Sequence, residues 1–172
     1  MVDMTTEEAA VEVRPARAED AEAVARIWWR GWRDGHLGNV PAELVVARTP
    51  ESFGTRAAQR VGDTVVAVAG DAVAGFVMVV DDEVEQVYVS EDHRGTGVAT
   101  ALLAEAERLV GSNGHRRAWL AVVAGNARAR RFYERNGWTD EGPFDYPAAG
   151  ATGPILVPSH RYAKHLAEHP EC

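Results

Sequence analysis

Cysteine is almost missing from this chain of 172 residues: the single one, Cys172, stands at the last position. No disulfide can close within the chain, which points to a reducing, cytoplasmic setting. No apolar run approaches the roughly 20 residues that a membrane span needs. The opening stretch "MVDMTTEEAA" is acidic and lacks an apolar core, so no signal peptide is expected there. Positive charge is also in deficit. The formal net charge is −8, which argues against a nucleic-acid or anionic-membrane partner, since both attract a basic face. The six histidines show no metal-ligand spacing. His165 and His169 are four apart, but Pro170 interrupts any helix there, so no metal is expected. Internal repeats and domain linkers are absent too.

What remains has the makeup of an ordinary globule, 46% hydrophobic and 26% charged, long enough to bury a core. The expectation is a frayed tail over 1–10 and a single domain over 11–172. "VEVRPA" alternates as a short strand. In the next stretch Val24, Ile27, Trp28 and Trp32 share one helical stripe, with Gly35 as its stop. "NVPAELVVA" reads as a second short helix. Thr49-Pro50 then opens a third. From Thr64 the period changes: "TVVAVA" and "AVAGFVMVV" flank the hairpin signal Gly70-Asp71. Asp81-Asp82 turns the chain into a third strand, Glu83 to Val89. A helix follows, with Leu102, Leu103, Ala106, Leu109 and Val110 as its buried face and Gly111 and Gly114 at its close. A strand (Ala118 to Val123) and a helix from Asn126 to Gly137 come next. "WTDEG" reads as a short strand, "YPAAGATGP" as a loop and "ILVPSHRYAKHL" as a final strand. The fold class is mixed α/β (α+β) with an antiparallel start, not a doubly wound sheet.

One stretch carries chemistry. "SEDHRGTGVATALLAEAERL" places two glycines and Arg94 between a strand and a helix N-terminus. The first amides of a helix lack internal partners and the macrodipole favours anions. Gly95 and Gly97 would let a phosphate reach those amides, and Arg94 would add a charge-assisted contact. The alternative is a glycine turn with no ligand. A P-loop is excluded, because no Gly-Lys-Ser/Thr ending follows. A dinucleotide fingerprint is excluded as well, because Thr100 stands where its third glycine would be.

This stretch, Arg94-Gly95-Thr96-Gly97-Val98-Ala99 after "VYV", resembles the acetyl-CoA loop of the GCN5-related N-acetyltransferases (GNAT). A second block agrees in order and distance: Asn126, then "ARRFYERNGW" from Ala129 to Trp138. The likeness runs from Val11 to Leu166, with Ala99 in place of the commoner glycine and with 146–158 unmatched. It implies a mostly antiparallel central sheet flanked by helices, with a splayed central strand pair. It also implies acetyl-CoA as co-substrate. The loop through Ala99 would hold the pyrophosphate, Val87 and Val89 would border the pantetheine arm, and Asn126 would lie near the sulfur. Tyr133 would protonate the departing thiolate. Among Arg128, Arg130 and Arg131, the first-turn Arg130 is the candidate for a CoA phosphate, against a solvated helix face.

A base must take the proton of the attacking amine, and Glu83 and Glu85, two apart on the central strand, are the candidates, with Glu85 preferred. The resemblance places Trp28, Trp29, Trp32 and His36 at the acceptor pocket, with Trp29, Trp32 and His36 as the candidates to line it. Trp29 lies off the apolar stripe and is expected to be the exposed one. Asp81 and Asp82 would add a negative rim suited to a cationic acceptor. The function implied is acetyl transfer from acetyl-CoA to the primary amine of a small molecule or peptide. The alternatives are a longer acyl group or a catalytically silent acyl-CoA-binding sensor of the same fold. The resemblance also allows a homodimer.

Overall fold

The computed structural model describes residues 10–167. The expected tail, apart from Ala10, lies outside them, as do His169 and Cys172. Strands β1 (Val11–Pro15), β2 (Thr64–Ala69), β3 (Ala72–Val80) and β4 (Glu83–Val89) are successive antiparallel neighbours. Strands β5 (Arg117–Val123), β6 (Thr139–Gly150) and β7 (Gly153–His165) form a second antiparallel group. Together they make one sheet ordered β1-β2-β3-β4-β5-β7-β6. The groups meet where β4 runs parallel to β5, and there only Glu83 and Trp119 are paired. Beyond that pair the two strands diverge, which is the expected splay.

Helices cover both faces. Helices α1 (Ala21–His36), α2 (Ala42–Ala47) and α3 (Pro50–Gln59) pack on one side, through Val24, Trp28, Leu44 and Phe53 against Val66, Phe76 and Met78. Helices α4 (Val98–Ser112) and α5 (Ala127–Arg135) lie on the other, through Leu102, Leu103, Ala106 and Tyr133 against Val77, Val84 and Leu120. The arrangement is a mixed α+β fold with a mostly antiparallel sheet, as the sequence implies.

Three local features position the site. In β4, Met78 pairs with Gln86 and Val79 with Val84, so Glu85 is an extra, bulged residue. The bulge reverses the alternation: Val84 packs on the α4 side and so do Val87 and Val89, while Tyr88 joins the α1–α3 side. The second feature corrects an expectation. Helix α1 does not stop at Gly35 but runs through it to His36. A Cβ at Gly31 would sit 2.3 Å from the Tyr88 ring, and one at Gly35 would sit 2.8 Å from Asn126 Nδ2. These glycines let the helix approach β4 and the α5 cap closely; they do not end it. The third is the β6–β7 hairpin. The stretch from Tyr146 to Pro154 is not a loop: β6 and β7 stay paired out to Gly150 and Gly153, and Ile155 and Val157 bury against the α1–α3 core.

Candidate active site

Two connected hollows follow the splay of β4 from β5. The first is a cleft of about 690 Å3 between the glycine loop, β4 and α5. Gly95 and Gly97 border it with φ of 78° and 85°, the left-handed region that glycine enters without strain. An added Cβ at either would meet nothing of the protein within 4 Å, so the loop's outer face is open. Gly97 is the N-cap of α4 and no side chain caps it, which leaves the first amides of that helix available to an anion. Arg94 borders the cleft and donates to Asp34 at 2.8 Å. His93, on the same rim, has Nδ1 buried without a partner among the described residues. Val87, Val89 and Ala99 also border the cleft.

One expectation at this cleft needs correction. Arg130 does not border it. Its guanidinium is held by the Tyr162 hydroxyl at 3.2 Å, the Ala124 carbonyl at 3.2 Å and Asp140 at 3.1 Å, because its position on α5 faces β7. Arg128 and Arg135 border the cleft instead. Val98 has its side chain in the core at 1% exposure, and the Thr96 hydroxyl donates to the His93 carbonyl. These two therefore have only their backbone to offer a ligand.

The second hollow, about 300 Å3, lies between β4, β5, helices α1–α3 and the outer half of the β6–β7 hairpin. Tyr88, Asn126 and Tyr133 border both hollows and mark where they join. Asn126 Oδ1 caps α5 by accepting from Ala129 N at 3.2 Å. Tyr133 is 9% exposed and packs against Phe132, Trp138 and Tyr162. Its hydroxyl has no hydrogen-bond partner among the described residues, and burial pushes its pKa up. Tyr88 is likewise pushed up, first by burial and then by Tyr133.

The two glutamates differ sharply. Glu85 accepts from both arms of Arg60, at 2.8 Å each. Glu83 accepts a hydrogen bond from the Tyr146 hydroxyl at 2.8 Å. Its carboxyl is held above the usual range chiefly by burial, with the neighbouring Glu85 and Asp82 adding to the effect. Trp32 and His36 border the cavity, stacked with ring centroids 4.9 Å apart. His36 Nδ1 lies 3.0 Å from the Trp32 carbonyl, and burial lowers its pKa to about 4, so the ring is neutral at physiological pH. Trp29, expected here, does not border the cavity; its ring carries Arg33 at 5.0 Å, and Trp28 and Trp32 are the tryptophans on the wall. Asp81 and Asp82 also turn away, bonding His115 and the Trp119 indole.

Sequence reasoning missed Tyr88, Tyr146, Arg48 and Arg56, all of which border this cavity. The signal for Tyr88 was the "VYV" of the strand itself. Tyr146 lay in a stretch read as loop, and the arginines carried no motif.

Comparison with known proteins agrees with this architecture. The described model of the acetyltransferase (GNAT) family matches residues 21–138. N-acetyltransferases of Mycobacterium tuberculosis and Mycobacterium bovis, themselves uncharacterized, are 32% identical over 75 residues, 41% of this chain. The match covers about half the length of those relatives, 48%. Among solved structures, the PaiA N-acetyltransferase of Thermoplasma acidophilum in complex with coenzyme A superposes with a TM-score of 0.71 at 18% identity. That superposition covers 91% of this chain and 99% of the other. The yncA protein of Salmonella typhimurium, solved with its cofactor acetyl-CoA, gives 0.66 at 19% identity over 95% and 98% of the two chains. A GCN5-related N-acetyltransferase of Kribbella flavida gives 0.66 at 23% identity over 91% and 98%. At these identities the likeness is one of fold. The match across most of the sequence carries the assignment: this chain belongs to the acetyltransferase (GNAT) family.

Proposed function

We propose that the protein is an acetyl-CoA-dependent N-acetyltransferase that modifies a primary amine by direct attack. The observation that carries this reading is the junction at Tyr133, where a buried, unpartnered phenol stands between the open glycine-loop cleft and a cavity holding a half-buried carboxylate. The residues present suit acetyl-CoA. The α4 amides, Arg94 and Arg128 offer donors to phosphate, and the exposed edge of β4 opposite β5 offers backbone groups to a pantetheine arm.

When bound, acetyl-CoA supplies an acyl thioester whose sulfur leaves as a thiolate. Glu83 takes the ammonium proton of the acceptor, directly or through a water, and returns it to solvent. Its raised pKa brings it nearer the operating pH than an ordinary carboxylate, which suits a base. Tyr146 orients it. Tyr133 keeps its proton at neutral pH and donates it where the thiolate charge develops. Glu85 is the weaker candidate, since Arg60 already occupies both of its oxygens.

The test is thiol release from acetyl-CoA across an amine library, with products read by mass spectrometry. Amine-dependent release with an N-acetylated product is expected. Tight acetyl-CoA binding with release at background for every amine would instead make the protein a silent binder.

A further inference from the structure

The acceptor cavity has a cationic end that the chemistry above does not use. Arg48, at the end of α2, and Arg56, in α3, both border it. Neither has a carboxylate partner among the described residues, although Arg60, one turn from Arg56, grips Glu85 with both arms. Arg56 rests on the Trp28 ring at 4.4 Å, and Arg48 adds to its positive surroundings. Burial lowers the pKa of both, that of Arg56 to about 10. Two neighbouring half-buried guanidinium groups with no ion pair are costly; Arg56 has the Trp28 and Phe53 rings and the longer-range field of Glu85 to offset this, and Arg48 has none of these. Trp28, fully buried on the same wall, has an indole N–H without an acceptor among the described residues. Glu83 and Tyr146, hydrogen-bonded to each other, line the same cavity. The lining thus carries two guanidinium groups without an ion pair among the described residues and, separately, a carboxylate.

We propose that the acceptor is an amino acid-type molecule, one small skeleton carrying both the reacting amine and a carboxylate, with Arg48 and Arg56 holding the carboxylate and Glu83 facing the amine. The inference rests on the acetyltransferase reading of this cavity and names its substrate class. A planar guanidinium matches the two oxygens of a carboxylate. A cavity of about 300 Å3 suits a molecule of this size and lies at the small end for ligand sites. A polyamine or other purely cationic acceptor, which the acidic composition alone would favour, would meet two positive charges here.

The experiment compares matched acceptors drawn from the standard amino acids: the free acid, its carboxamide, and the amine left when the carboxyl group is removed. Thiol release from acetyl-CoA is followed for each. The best free acid should exceed its two partners in kcat/KM by roughly 10- to 100-fold, the worth of a charged hydrogen-bonded contact. Arg48→Gln should narrow that ratio at least tenfold. Arg56→Lys, which keeps the charge but not the fork, should narrow it as well. Acetyl-CoA titration confirms that each variant is folded; if Arg56→Lys fails there through its packing on Trp28, Arg48→Gln decides. Carboxamides or decarboxylated amines served as well as acids would overturn the proposal and leave the acetyltransferase reading standing. So would an unchanged ratio in the folded variants. Acetyl-CoA binding without release for any acceptor would remove the acetyltransferase reading and the proposal with it.

Discussion

Replacing Glu83 with glutamine removes the base but preserves the shape and the Tyr146 contact. An amine of ordinary lysine-like pKa near 10.4 is neutral in only about one molecule per thousand at pH 7.4, so a base can contribute at most about 10³-fold there. The general-base range begins near 10²-fold, and the expected loss in kcat/KM for Glu83→Gln at pH 7.4 is therefore roughly 10²- to 10³-fold. The sign with pH follows from the structure. Burial raises the Glu83 pKa, so the protonated, inactive form persists to a higher pH than for a free carboxylate. The parent rate should rise as pH climbs through that raised value and then flatten. In Glu83→Gln only the free amine reacts, so the rate should keep rising toward the pKa of the amine, and the gap to the parent should close. Glu85→Gln is the contrast. It removes the carboxylate from the Arg60 pair and should lower stability; because the Glu85 charge helps to raise the Glu83 pKa, the acid limb should move to lower pH while the parent's plateau is kept. The assay is a pH–rate series for the three proteins on one amine. A Glu83→Gln profile that superimposes on the parent's would refute the assignment. A plateau rate lost in Glu85→Gln but kept in Glu83→Gln would return the role to Glu85.

Further outcomes are expected elsewhere. Gly97→Val should lower acetyl-CoA affinity at least about tenfold, or 1.4 kcal/mol, because its φ of 85° strains a β-branched residue and its side chain would fill the open face of the loop; calorimetric titration of the folded variant checks this. Arg130→Gln should lower stability by roughly 1–3 kcal/mol through loss of its contacts to Tyr162, Ala124 and Asp140 and leave acetyl-CoA affinity within a few-fold; denaturant unfolding and titration together separate the two. Asp20 is 6% exposed and paired with Arg14, and that hydrogen bond lowers its pKa first of all. Its contribution is present above the ordinary aspartate value and is lost as pH falls through the lower folded one. Asp20→Asn should therefore flatten the acid limb of a stability-against-pH curve.

Much of this is legible in the residues alone. The valine-rich period-2 stretches, Gly70-Asp71 and the Thr49-Pro50 start are local signals, and their elements stand where the residues imply. The glycine loop and Asn126 cap carried the cofactor side because backbone geometry dictates residue type there. The acceptor side was harder. Pro147, Gly150, Gly153 and Pro154 lie in the stretch read as a loop, yet β6 is an edge strand and β7 before Ser159 pairs in register with β6 alone. Proline's missing N–H costs little in such places. The bulge at Glu85 is set by pairing with β3, which no local pattern announces. The choice between Glu83 and Glu85 turned on Arg60, 25 residues away in sequence from Glu85. Arg130 misled because its helix position alone could not say that α5 turns it toward Tyr162.

The central claim is that one junction sets the thiol's acid between the two hollows, and a single-turnover comparison of the parent with Tyr133→Phe tests it most directly. Excess enzyme is mixed with acetyl-CoA and an accepted amine, thiol release is timed, and acetyl-CoA affinity is titrated alongside. The variant keeps the ring packed against Trp138 and Tyr162 and loses only the hydroxyl. Release slowed by about 10²-fold with affinity within a few-fold of the parent is the expected result. Release within a few-fold of the parent at equal affinity would contradict the claim and leave Tyr133 as core packing.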